Sequence, residues 1–235
     1  RQGYVTFRLS SLGGYQKMEI PYEEYSRMYG IDHWILHADL DYAGREYGFG
    51  PSPPDQYALN FALDSIRAEQ SPPYALFFIS QNSHTPYDTP QDVVDDWRSL
   101  RKPTASTNGR SLFWSKPKFA DYGKAISYQL RYLIDAVIKQ GGPQDIFLLV
   151  GDHQPASLSV PIETFHTPVH VIAQDQEFIR SMSTYGFSPG LLIRDTEQVT
   201  RHEALYWAFM RSFLGRYGNP QHQLPEYLET GIPYA

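Results

Sequence analysis

An acid and an imidazole stand side by side directly after an apolar run of the sequence. Asp152 and His153 follow the run at 146–150, and Gly151 permits a sharp exit from a strand. Ligand sites in α/β proteins gather at the carboxyl ends of strands. A carboxylate with an imidazole is a usual part of a Zn²⁺ or Mn²⁺ ligand set. The pair predicts a metal site, and the alternative is that Asp152 caps a turn and His153 is a surface residue.

A second histidine also follows an apolar run. His84 lies in the sequence Ser-His-Thr-Pro-Tyr at 83–87, after the run at 75–79. If the two strands are parallel, His84 and His153 leave the same edge of the sheet. An imidazole at that edge could hold an anionic oxygen of a substrate or protonate a leaving group. The alternative is an ordinary turn before Pro86.

The remaining histidines carry weaker signals. His166 lies thirteen residues after His153, before a predicted strand, and could join a metal or anion site. The alternative for His166 is a buried, hydrogen-bonded histidine. His202 and Glu203 fit the first turn of a late helix, where Glu complements the helix dipole, so we interpret them as structural. The others show no informative spacing: His33, His37, His170 and His222.

The composition excludes several classes of function. A net charge of -6 argues against a general nucleic-acid binder, which normally carries a basic face. With no cysteine, the chain has no disulfides, thiolate metal sites or cysteine nucleophile. We find no apolar window long enough to cross a bilayer and no secretory leader pattern. Arg1 at the first position suggests that the chain was cut from a longer one.

The elements that must position these residues alternate between strands and helices, which predicts an α/β fold. Strands are predicted at 4–9, 75–79, 146–150 and 168–173. The run at 75–79 predicts a buried strand, and the run at 146–150 predicts a central strand that is apolar on both faces. Helices are predicted at 55–68, at 122–138 and from about 199 to Gly215. The stretch 34–40 fits either a strand or a loop. In the helix at 122–138, apolar residues recur on one face: Tyr122, Ile126, Leu130, Leu133 and Val137.

The domain organisation is predicted to be simple. We expect residues 1–215 to form one domain and residues 216–235 to form a tail that wraps its surface. The segment 99–118, rich in Lys, Ser, Thr and Pro, is predicted to be a surface excursion.

Four stretches in order resemble the later part of a sulfatase-type catalytic domain of the alkaline phosphatase superfamily. Bacterial phosphoglycerol transferases, of the lipoteichoic acid synthase type, and phosphoethanolamine transferases are the most similar groups. The likeness covers about residues 3 to 215, and the helix at 122–138 fits the one before the last motif. The four stretches are 3–6 (GYVT), 47–50 (YGFG) together with Asp55, 77–87, and 146–153.

The resemblance implies a three-layer α/β/α fold with a largely parallel or mixed sheet. It implies that Asp152 and His153 are ligands of a divalent metal, which would be Mn, Zn, Ca or Mg. It further implies that His84 positions the phosphate or sulfate of a substrate. His166 is a weaker match to a substrate-binding histidine of the phosphoethanolamine transferases.

The activity implied is hydrolysis or transfer of a phosphate or sulfate ester of a lipid headgroup, polymer or sugar, outside the cytoplasm. The parent protein is expected to be membrane-anchored. We expect the family's nucleophile and an acidic ligand to precede Gly3, so this chain holds no catalytic nucleophile. The isolated chain is therefore expected to bind metal poorly and to be inactive. The alternatives are a non-catalytic relative that binds an anionic glycan or a protein, and an unrelated α/β binding domain.

Overall fold

The computed structural model describes nine stretches of the chain. They are residues 3–13, 22–48, 50–69, 73–90, 92–102, 119–155, 158, 165–192 and 199–231. The chain divides into two compact units, which we call the first unit (Arg1–Lys139) and the second unit (Gln140–Ala235). The division into a domain at 1–215 and a surface tail at 216–235 stays a prediction.

The first unit contains a parallel sheet of three strands. These are β1 (Val5–Ser10), β2 (His33–Leu36) and β3 (Tyr74–Phe78), in the order β2-β1-β3. Arg8 of β1 lies opposite Trp34 on one side and Phe77 on the other. Because the strands are parallel, their carboxyl ends meet at one edge of the sheet. The predicted strands at 4–9 and 75–79 are confirmed to within one residue at each end.

The helix α2 (Asp55–Ala68) packs on this sheet and has the predicted bounds. It begins after Pro53 and Pro54, and proline is well tolerated where a helix starts. The undecided stretch at 34–40 contains both the end of β2 and a 3-10 turn, His37–Leu40. A short helix, α1 (Tyr22–Tyr29), was not predicted. The core between sheet and helix is formed by Leu9, Leu40, Tyr57, Ala58 and Ala62.

The two apolar runs, at 75–79 and 146–150, are buried less than predicted. In β3, Leu76 and Phe78 pack against the core, whereas Phe77 is 51% exposed. In the strand at 146–150, Leu148 and Val150 are 37% and 44% exposed. A run of five apolar residues is compatible with a strand that is buried on one face and with a strand that is buried on both. The sequence pattern alone therefore could not predict how many faces are buried.

The helix predicted at 122–138 is α3 (Phe119–Gln140). Its buried face is not the apolar face that the sequence pattern predicts. Its fully buried residues are Ala125, Tyr128, Tyr132 and Ala136. Leu130, a member of the apolar face of the sequence pattern, is 47% exposed. The tyrosines are tolerated inside because their hydroxyls are bonded: Tyr132 accepts from Gln129 at 2.6 Å.

A surface segment is predicted at 99–118. Its first residues lie in a 3-10 turn, Trp97–Arg101, and residues 103–118 lie outside the described part of the chain.

The second unit contains an antiparallel pair of strands, β4 (Ile146–Val150) and β5 (Val169–Ala173). Two helices follow, α4 (Gln176–Met182) and α5 (His202–Tyr217). Phe178, Met182 and Ala208 form their buried core. The predicted strands are confirmed, α5 starts and ends a few residues later than predicted, and α4 was not predicted. The central position predicted for β4 is not found, since within the described residues β4 pairs with β5 alone.

The α/β class predicted from the sequence is confirmed, with a parallel sheet in the first unit and helices in both units. Within the stretches that the structure describes, no helix combines the length and apolar character required to span a bilayer.

Candidate functional site

His84 lies in a turn that follows β3, and we call residues 81–88 the His84 turn. The amide of His84 donates to the carbonyl of Gln81 at 3.1 Å, and the amide of Tyr87 donates to the carbonyl of His84 at 2.9 Å. The ring of His84 is exposed. Its Nδ1 lies 2.7 Å from the carbonyl oxygen of Thr85, so Nδ1 carries a proton and donates. In the neutral ring, Nε2 is then the basic nitrogen.

A fully buried carboxylate holds the start of this turn. Asp55, the first residue of α2, accepts hydrogen bonds from the amides of Gln81 and Asn82, the latter at 2.8 Å. In return, the amide of Asp55 donates to Oδ1 of Asn82 at 2.7 Å. Asn82 is fully buried as well. Asp55 and Asn82 thus join α2 to the turn after β3 in both directions.

Burial dominates the electrostatics of Asp55. Removal from water raises the pKa of Asp55 to about 7, while the amides of Gln81 and Asn82 act in the opposite direction. The sequence resemblance includes Asp55, but no role was assigned to it. Its position at a helix start after two prolines is the signal in the sequence, while its partners lie 26 and 27 positions away.

A second loop holds the other end of the His84 turn. Arg45 forms an ion pair with Asp88 at 3.2 Å and lies 4.7 Å from the centre of the Tyr47 ring. A Cβ on Gly48 would lie 3.1 Å from the carbonyl oxygen of Gln81, and Gly48 has a φ of +69°. Only glycine fits this backbone and this close approach without strain. Gly48, a member of the motif at 47–50, therefore packs against the turn that carries His84.

Another histidine at the same edge of the sheet was not identified from the sequence. His37 directly follows β2, and its Nε2 lies 2.6 Å from Oε1 of Glu46. A Cβ on Gly13, after β1, would lie 3.4 Å from the ring of His37. The position of His37 just after three apolar residues is a usable signal, but the sequence alone fits either a strand or a loop at 34–40.

In the second unit, Asp152 and His153 leave the carboxyl end of β4, as predicted. Their side chains are 80% and 62% exposed, and Oδ2 of Asp152 lies 3.5 Å from Nε2 of His153. Nδ1 of His153 lies 2.8 Å from the carbonyl oxygen of Gln154, so Nδ1 donates and Nε2 is the basic nitrogen of the neutral ring. A backbone carbonyl on the other ring nitrogen is the usual support of a metal-binding histidine.

The antiparallel pairing brings the residues before β5 to this same edge. The amide of Gly151 donates to the carbonyl of Pro168 at 2.9 Å, and the side chain of Gln154 donates to the carbonyl of His166. His166 is exposed, so the alternative of a buried histidine is wrong. Thr167 Oγ1 lies 2.8 Å from Nε2 of His202, which joins the first residue of α5 to the segment before β5.

The spacing of Asp152 and His153 suits two ligands of one ion. With metal–ligand bonds of about 2.1 Å in a tetrahedral arrangement, two ligand atoms lie roughly 3.4 Å apart. The observed 3.5 Å between Asp152 Oδ2 and His153 Nε2 is close to that value. Among the described residues, no group of three or more His, Asp or Glu side chains is placed to hold a metal. A pair of protein ligands is half of the four that a closed zinc site requires.

No family model and no curated protein matches the chain. One similar solved structure is the lipoteichoic acid synthase LtaP from Listeria monocytogenes, which is 18% identical over 74% of this chain with a TM-score of 0.46. Another is a protein in the alkaline phosphatase superfamily from Vibrio parahaemolyticus, which is 19% identical over 74% of this chain with a TM-score of 0.46. The chain spans 44% and 39% of the lengths of these proteins.

Proposed function

We propose that the chain is the later part of a metal-dependent domain that acts on phosphate or sulfate esters. In this proposal Asp152 and His153 bind the divalent cation, and His84 binds an oxygen of the ester group. His166 is a second residue proposed to contact the ester.

The observation that carries the proposal is the position of the predicted side chains. His84 follows β3, and Asp152 and His153 follow β4, and all three are exposed. Strand ends of α/β sheets are where ligand sites form, since side chains there leave the packed layers. The order of the four motifs along the sequence supports the same function.

Each residue is suited to its proposed role. Asp152 and His153 offer a carboxylate oxygen and an imidazole nitrogen at the separation that two ligands of one ion require. With a proton on Nε2, the His84 ring can donate from that nitrogen to an anionic ester oxygen, because Nδ1 already donates to the carbonyl of Thr85. A divalent cation, when bound, stabilises the negative charge that develops on the transferred group. The attacking hydroxyl is proposed to come from a part of the parent protein that precedes this sequence in the family pattern.

The substrate class follows from the resemblance. We propose an ester of a lipid headgroup, a polymer or a sugar, processed outside the cytoplasm by a membrane-anchored parent. A non-catalytic relative that binds an anionic glycan or a protein is the competing function. Such a relative would bind an oxyanion but would show no turnover, even when the whole parent protein, with the full set of motifs, is assayed.

The metal assignment is tested by adding Mn²⁺ to the chain with labelled histidines and recording the imidazole NMR signals. Paramagnetic broadening detects weak binding, which is expected from two ligands. We expect the His153 ring to broaden first and Asp152→Ala to abolish that broadening. His222, an exposed histidine in the C-terminal segment, is the internal control.

Equal broadening of His153 and His222, or no broadening at all, contradicts the metal site. That His84 acts on the same ester as Asp152 and His153 stays a prediction. Broadening of the His84 ring in the same titration supports it, and a His84 ring that stays sharp while His153 broadens contradicts it.

A further inference from the structure

From the first residue of α2, the side chain of Asp55 bonds directly to the backbone of the His84 turn. We propose that Asp55 is a positioning residue, whose ionised carboxylate holds Gln81 and Asn82 so that the turn presents His84 to an anionic group. This inference rests on the proposed function of His84.

The path from the carboxylate to His84 is short. Both oxygens of Asp55 accept from the amide of Gln81, at 3.0 and 3.1 Å. The carbonyl of Gln81 then accepts from the amide of His84 at 3.1 Å. One residue therefore links Asp55 to His84, and displacement of Gln81 would move the backbone that carries the imidazole.

Asn82 fixes the same turn from the opposite direction. Its amide donates to Oδ2 of Asp55, and its Oδ1 accepts from the amide of Asp55. Nδ2 of Asn82 is buried and has no hydrogen-bond partner among the described residues. The bond to the Asp55 amide is therefore what sets the orientation of this side chain. The reciprocal pair allows little rotation of the turn about α2.

The arrangement costs stability, which is typical of a functional position. Asp55 is fully buried, and no cation forms an ion pair with it among the described residues. A buried charge without a cation is unfavourable, although the start of α2 gives partial compensation through the helix dipole. Asparagine at this position would avoid the charge but offers one acceptor oxygen in place of two. The second acceptor is what the turn requires.

The experiment compares Asp55→Asn with Asp64→Asn at pH 8, where Asp55 is ionised. Asp64 lies on the same helix and pairs with Arg98 at the surface, so it is a matched control. Hydrogen exchange of the Gln81 and Asn82 amides reports the turn, and titration with inorganic sulfate reports oxyanion binding near His84. Sulfate does not titrate in this pH range, and His84→Ala is the reference for loss of the site.

We expect Asp55→Asn to speed exchange of the two amides and to weaken sulfate binding by about tenfold, since one charge-assisted hydrogen bond is worth roughly that factor. Asp64→Asn should change neither. The sulfate Kd of Asp55→Asn is measured at a temperature at which the variant is fully folded. If Asp55 only stabilised the fold, the substitution would lower the melting temperature and leave this Kd unchanged.

The two levels of the proposal fail differently. If His84→Ala leaves sulfate binding intact, the proposed function of His84 is wrong. If His84→Ala weakens binding but folded Asp55→Asn does not, the positioning role alone is overturned. Should Asp55→Asn fail to fold, Asn82→Ala decides: it removes the acceptor for the Asp55 amide together with the unpartnered Nδ2, and it keeps the backbone amide of Asn82 that donates to Asp55. Faster exchange at Gln81 with weaker sulfate binding supports the role, and an unchanged Kd overturns it.

Discussion

Asp175 and Arg216 join the start of α4 to the end of α5, with Nε of Arg216 donating to Oδ2 of Asp175 at 2.7 Å. The same carboxylate caps α4 by accepting from the amides of Glu177 and Phe178, and it accepts from the hydroxyl of Tyr217. Of its four donors, two belong to α5 and two to α4, so Asp175 both caps α4 and links it to α5. Arg216 also contacts Glu177, which is far more exposed.

Replacement of Asp175 should therefore destabilise the second unit. We expect Asp175→Ala to lower Tm by about 3 °C or more, because the helix cap and the bond to Arg216 are lost together. Glu177→Gln is the control and should shift Tm by less than half as much, since it removes one exposed ion pair. Thermal unfolding followed by circular dichroism measures both, and equal effects would contradict the dominance of Asp175.

The same carboxylate predicts a loss of stability in acid. Arg216, with the capping amides, holds the pKa of Asp175 well below its usual range. A lowered pKa means that the stabilisation is present above the pKa of the unfolded chain, near 4, and is lost as pH falls below it. The difference in Tm between the protein and Asp175→Asn should therefore shrink between pH 5 and the most acidic pH at which the protein folds. A difference that is constant over that range would contradict the assignment.

Asp55 predicts the opposite dependence on pH. Because its folded pKa is raised to about 7, the folded state binds a proton that the unfolded state has already released between about pH 4 and pH 7. The contribution of Asp55 to stability thus falls as pH rises through this window, by a few kcal/mol on an order-of-magnitude scale. Urea unfolding at pH 5 and pH 8 measures it. Asp55→Asn should flatten that part of the profile, whereas Asp64→Asn should retain it.

The buried side of α3 is tested by two truncations. Tyr132 is fully buried, so Tyr132→Ala should cost about 3 to 5 kcal/mol of unfolding free energy, as large aromatic deletions in cores do. Leu130 is half exposed, and Leu130→Ala should cost roughly 0.5 kcal/mol. Chemical denaturation gives both values. A larger loss of unfolding free energy in Leu130→Ala than in Tyr132→Ala would indicate that the apolar face predicted from the sequence is the packed side.

The chain by itself should not turn over ester substrates. We expect no measurable hydrolysis of aryl phosphates or aryl sulfates with Mn²⁺ or Zn²⁺, because no nucleophile is assigned and Asp152 with His153 supplies only two ligands. Robust turnover that disappears in Asp152→Ala would show that this chain contains the missing groups. Turnover that survives in Asp152→Ala would point to a contaminating activity.

Much of the local structure was predictable because its causes are local. Two prolines and an amphipathic repeat placed α2 correctly, and apolar runs bounded by turn residues placed β1, β3, β4 and β5. The strand ends that carry His84, Asp152 and His153 followed from the same runs. These features depend on neighbours within a few positions, which the sequence displays directly.

The tertiary structure decided which partners those local elements meet. The pattern of α3 could not reveal that Tyr128 and Tyr132 face the core, because tyrosine is accepted inside only where a partner for its hydroxyl exists. The two bonds between Asp55 and Asn82 join residues 27 positions apart. Hydrogen-bond partners at such separations depend on the path of the whole chain, so periodicity and composition carry no record of them. By itself the sequence therefore determined where the candidate side chains leave their strands, and the fold determined what holds them there.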